Sequence, residues 1–176
     1  MKVKIHKESK NLIPEKVYDQ IPDAVNSFID YYDLNNCSAP LYIIFKKDND
    51  TTLGLTKTSY IQFGNIYFKP KMYTIYINPE QTSTEIIKTL FHELAHVKQY
   101  HNKELKISAV KKCSVWKGEL YSTERINEIE YYKNLPWEVE ARMISENMMQ
   151  VWKNGIKKDK PSIFSYIMKF FKRNKK

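Results

Sequence analysis

The sequence predicts an α+β domain, and three observations predict it. A helical apolar pattern near the N-terminus is followed by several short strand-like runs between residues 41 and 77. A second helical pattern with hydroxyl-rich capping residues runs from about 82 to 100, and a third opens at Pro136. One helix, then strands, then helices is an α+β order, not a regular β–α alternation. The expected architecture is an N-terminal helix, a small mixed or antiparallel sheet, a long helix, and a later helix that opens with glutamates.

Each element has a local cause. From Pro14 to about Tyr32, Val17, Ile21, Val25, Phe28 and Ile29 share one helical face, and Pro14 suits an early turn. Pro22 lies inside that pattern and predicts a kink or a break. Residues 35–40 (Asn-Asn-Cys-Ser-Ala-Pro) read as a loop and Asp48-Asn49-Asp50 as a turn. Leu41–Phe45 and Met72–Ile77 are apolar, β-branched and aromatic runs of strand type, and two further runs flank Gly64-Asn65. Thr82 or Ser83 caps the next helix, with Glu85 in its first turn, and Ile86, Ile87, Leu90, Leu94 and Val97 make its buried stripe. After Tyr100 the chain reads as basic and irregular. The last helix starts near Pro136, runs to about Trp152, and stops at Asn154-Gly155.

Composition limits the function. The 176 residues fit one domain, here 1–155, with a basic tail over 156–176. The net charge of +9 is uneven: residues 153–176 carry nine basic side chains and one acidic, whereas the first 152 carry 20 and 19. A near-neutral body argues against a specific nucleic-acid-binding face. Two cysteines, Cys37 and Cys113, are too few for a disulfide framework and read as buried thiols in a reducing, cytoplasmic setting. No apolar leader or membrane-length apolar stretch is present in this sequence.

Chemistry is concentrated in His92-Glu93-Leu94-Ala95-His96. Given 4 His and 13 Glu in the chain, chance predicts roughly 0.007 occurrences of H-E-x-x-H. Two histidines four apart on a helix present two imidazoles on one face, as two bonds to a zinc ion require. Glu93, next to the first histidine, is placed to act as general base toward water that the metal activates. A catalytic zinc site needs a third protein ligand. His101 is five residues past His96, about 140° around the helix, and points elsewhere. Glu104 is too near the helix end to fold back. Glu138 and Glu140, 42 and 44 residues after His96, leave room for the chain to return. They lie about 200° apart around a helix, so only one of them can face the metal. For both, an ordinary acidic first turn favoured by the helix dipole is the bland reading.

The motif followed by Glu138-Val139-Glu140-Ala141 resembles the gluzincin branch of the zincin metallopeptidases. The wider pattern of His92–Tyr100, Trp116-Lys117-Gly118 and Pro136–Ala141 is similar to a group of small bacterial and phage zincin-like proteins. The resemblance covers roughly residues 85 to 146. It implies a zincin-like fold, a Zn²⁺ cofactor held by His92, His96 and Glu138, and peptide-bond hydrolysis with Glu93 as general base. It also places Trp116-Lys117-Gly118 at a wall of the substrate cleft. Arg142 departs from the pattern, because many gluzincins have Asp or Asn there to orient a ligand histidine. That role is left unfilled.

Tyr131 and Tyr132, just before the glutamate helix, are candidates to steady an oxyanion. In the tail, polar residues at 162, 165, 169 and 172 make one narrow stripe on an otherwise apolar helix. That surface suits docking on the domain itself, on a protein partner, or on an anionic membrane. The leading expectation is a zinc metallopeptidase acting on a peptide or protein. The alternative is a catalytically silent zincin fold that serves as an interaction or regulatory module.

Overall fold

A computed structural model of the chain describes residues 1–47, 52–59, 62–63, 66–67, 70–108 and 113–155. The expectations for Asp48–Asp50, for Gly64-Asn65 and for the tail over 156–176 lie outside these residues. Mixed α and β structure is present, as expected.

Strand β1 (Val3–Ile5) leads through a short 3-10 turn into helix α1 (Glu15–Tyr31), which returns to β2 (Leu41–Phe45). Strands β3 (Gly54–Ser59), β4 (Gln62–Phe63), β5 (Ile66–Tyr67) and β6 (Met72–Ile77) follow. The main sheet has the order β1-β2-β6-β3, with the first three parallel and β3 antiparallel to β6. Strands β4 and β5 pair only with each other among the described residues. Helix α2 (Ser83–His101) crosses to a second sheet of β7 (Leu105–Ser108), β8 (Cys113–Trp116) and β9 (Glu119–Ser122), all antiparallel. Helices α3 (Ile129–Lys133) and α4 (Pro136–Asn154) complete the described chain.

The core lies on one face of the main sheet. Leu41, Ile43 and Phe45 of β2 and Tyr73, Ile75 and Ile77 of β6 meet Val17, Ile21, Val25, Phe28 and Ile29 of α1. Helix α2 runs through the middle, against α1, α4, β3 and β6. Its expected stripe is buried, and every residue from Glu93 to Gln99 is buried as well. A capping box starts it: the Thr82 hydroxyl accepts from the Glu85 amide, while the Glu85 carboxylate accepts from the Thr82 amide. A smaller cluster of Leu105, Trp116, Leu135 and Trp137 packs between the second sheet and the start of α4.

Three sequence readings differ from the structure. Helix α1 runs through Pro22 as one continuous helix, so the break into two helices is absent. The proline is exposed, and its cost is one missing backbone hydrogen bond and the crowding of its ring against the preceding turn. The stretch after Tyr100 is a three-stranded sheet, not irregular chain. Lys117 (φ 48°) and Gly118 (φ 96°) form its tight β8–β9 turn, and two successive positive φ values match the strand twist of such hairpins. Finally, β1 and β3 had no sequence signal. Helix α4 closes as expected, with Gly155 left-handed at φ 58°.

Candidate metal centre

His92 and His96 lie one turn apart on α2, and Glu138 lies in the first turn of α4. Packing of α2 against α4 brings the three together. The two Nε2 atoms are 3.2 Å apart. Each also faces one oxygen of Glu138, at 3.2 Å from His92 and 3.3 Å from His96. A tetrahedron with such edges has its centre about 2.0 Å from each corner, which is the length of a Zn–N or Zn–O bond. The cluster could therefore hold a metal ion. Glu138 and His96 are buried, and His92 is partly open.

The electrostatics follow from this crowding. Burial would raise the Glu138 carboxyl, but the hydrogen bonds and charges of both histidines hold it far below the usual carboxylate range. Burial would lower His96, yet the hydrogen bond and charge of Glu138, with Glu93 and Gln99, raise it to about 9. Without a metal, the cluster thus keeps a proton that a metal must displace.

Glu140 sits elsewhere. Its carboxylate meets Lys117 Nζ at 2.9 Å, Lys98 Nζ at 3.6 Å and Gln99 Nε2 at 3.1 Å. Burial is outweighed by these partners, and its pKa is lowered. Glu104 binds Lys98 at 2.8 Å, and His101 is the last residue of α2, outside the cluster. Cys37 and Cys113 are free thiols, and neither joins a metal-ligand cluster among the described residues.

Glu93 is buried between the histidine pair and β3, close enough to His92, His96 and Glu138 to feel their charges. Thr56 Oγ1 lies 2.7 Å from Glu93 Oε2 and 3.0 Å from the Glu93 carbonyl. A hydroxyl has one proton, and the nearer acceptor, the side-chain oxygen, takes it. Burial raises the Glu93 pKa, against the opposing pull of His96, His92 and Thr56. Gly54 makes the close approach of β3 possible. A Cβ there would stand 2.6 Å from both Glu93 Oε1 and Thr89 Cγ2. Gly54→Ala should therefore destabilise the protein by about 1–3 kcal/mol, the usual range for overpacking, as read from chemical denaturation. An unchanged midpoint would mean that β3 steps outward freely.

No match is found among family models, curated proteins or solved structures.

The two tyrosines separate. Tyr131 donates to the Ser122 carbonyl at 2.7 Å and packs into the smaller cluster, so it braces the second sheet. Tyr132 is exposed on α3, and its hydroxyl feels the charge of Glu138. Burial, the charge of Glu138 and a hydrogen bond to it push the Tyr132 hydroxyl far above its ordinary pKa, with Glu93 adding to the shift. Trp116 is buried against Trp137 at a ring distance of 6.4 Å, a packing position. Arg142 bonds the Lys133 carbonyl, the last residue of α3, and so holds the helix that carries Tyr132. It does not orient a histidine. Gln99, Thr56 and Gly54 escaped the sequence reading. Gln99 alone carried a usable signal, three residues past His96 on the same helical face.

Proposed function

We propose that the protein is a zinc-dependent metallopeptidase with a zincin-like arrangement of α2, α4 and the edge strand β3. The observation that carries this reading is the triangle of His92, His96 and Glu138 at 3.2 to 3.3 Å, with the Glu93 carboxylate buried on the same turn of α2. Two imidazoles and one carboxylate suit zinc and leave a coordination position free. The ion, when bound, supplies Lewis acidity that polarises a carbonyl and activates water. Glu93 accepts the proton of that water and passes it to the leaving amine. Thr56 holds the carboxylate in place meanwhile. The Tyr132 hydroxyl stays protonated through the physiological range and is suited to steady the developing oxyanion.

Strand β3 supports a peptide as substrate. Its outer edge has no strand partner among the described residues, and it runs beside Glu93. An extended peptide pairs with such an edge through its main chain. A silent binding module has little use for Glu93, since a buried carboxylate beside the metal ligands is costly to keep.

The test is metal removal and return. Chelation should abolish hydrolysis of a peptide library, and zinc should restore it. Zinc at 100 times its Kd should add about 2.7 kcal/mol of stability, a rise in Tm of roughly 5–10 °C for a chain of this size. Because zinc displaces the His96 proton, affinity should increase with pH up to about 9. Hydrolysis that survives a verified loss of metal would end this reading.

A further inference from the structure

Gln99 is fully buried, and both ends of its amide are engaged. Oε1 lies 2.9 Å from His96 Nδ1. Nε2 donates to the Trp137 carbonyl at 2.9 Å and to Glu140 Oε2 at 3.1 Å. Those two acceptors decide which way round the amide sits. If it were flipped, its oxygen would face a carbonyl and a carboxylate, which can only accept. The oxygen therefore faces His96, and an amide oxygen cannot donate. His96 must carry its proton on Nδ1 to make this bond, and that leaves Nε2, the atom facing His92 and Glu138, as the metal-binding nitrogen.

We propose that Gln99 is the positioning residue of the metal centre, fixing the tautomer and the ring orientation of His96 in place of the acid that Arg142 replaces. This rests on reading His92, His96 and Glu138 as metal ligands. The amide is itself held from behind. Glu140 is fixed by Lys117 Nζ at 2.9 Å and by Lys98, whose ammonium also bonds Glu104 at 2.8 and 3.1 Å. Lys117 projects from the positive-φ turn of the second sheet. Trp137, whose carbonyl takes the other bond, packs on Trp116 and Tyr121. Residues 137, 138 and 140 all lie within the first five residues of α4. Docking of α4 thus delivers the third ligand and the two acceptors that orient Gln99 in a single step.

The test uses the full chain loaded with cobalt(II) or zinc. Gln99→Leu should weaken metal affinity about 10–100-fold in chelator competition, the range for partners that orient a ligand histidine, and should change the cobalt d–d absorption. In zinc-loaded wild type, ¹⁵N spectra of labelled histidine should show His96 protonated at Nδ1 and metal-bound at Nε2. Equal affinity and an identical cobalt spectrum in a folded Gln99→Leu variant would overturn the proposal. So would metal bound to His96 through Nδ1 in the wild type, a result that does not depend on the variant folding. Wild type that takes up neither metal overturns the reading of the centre itself, and this proposal with it.

Discussion

Glu93→Gln should reduce peptide hydrolysis by about 10²–10⁴-fold, the usual contribution of a general base, while zinc content stays at the wild-type level. Glutamine keeps the shape and can still accept from Thr56, but it cannot take up a proton. It should not destabilise the fold. Burial already works against the Glu93 charge, and a neutral amide costs less to desolvate than a carboxylate. Paired measurements of kcat/KM, bound zinc and Tm check all three statements. A variant that hydrolyses peptides at the wild-type rate would remove Glu93 from proton transfer.

Glu138→Ala and Glu140→Ala should separate two carboxylates that stand two positions apart. The first removes a ligand and should weaken zinc binding by more than about 100-fold, beyond the 10–100-fold range expected of an orienting partner. The second leaves the ligands in place and loosens Gln99, so it should fall within that range. Without zinc, Glu138→Ala should also lower the His96 pKa from about 9, since burial is then opposed by fewer partners. Chelator competition and an NMR titration of His96 measure both. The reverse ranking of the two variants would exchange the roles of Glu138 and Glu140.

Legibility in the sequence followed the strength of local signals. Helix α2 combined a capping box with an apolar stripe, and the structure has both. Strand β6 was a run of apolar, β-branched and aromatic residues, and its ends fall where that run ends. Strand β3 was hidden because an edge strand needs only one partner and tolerates polar residues. Gly54, Thr56 and Thr58 look inward as small or hydroxyl-bearing side chains, so the usual apolar alternation is missing. The three-stranded sheet was hidden because its strands are four residues each, too short for a period of two to stand out. Of the centre, the pentapeptide gave the two histidines and Glu93 directly. The choice between Glu138 and Glu140 depended on the phase of α4 against α2, and no spacing argument within α4 contains that phase. Arg142 was read as a gap where an acid was expected. Gln99, which fills that role, lies on the same helix as the motif, three residues from His96.

The open edge of β3 has a consequence for the purified protein. Backbone groups that can pair with an extended peptide can also pair with another copy of the same strand. Leu53 and Leu55 are exposed beside that edge and would add apolar contact to such a pairing. Lys57 puts a positive charge next to them, which sets like charges against each other when two edges approach. Solubility should therefore depend on one lysine: Lys57→Leu is expected to promote association at high concentration, and an excess of extended peptide should suppress it.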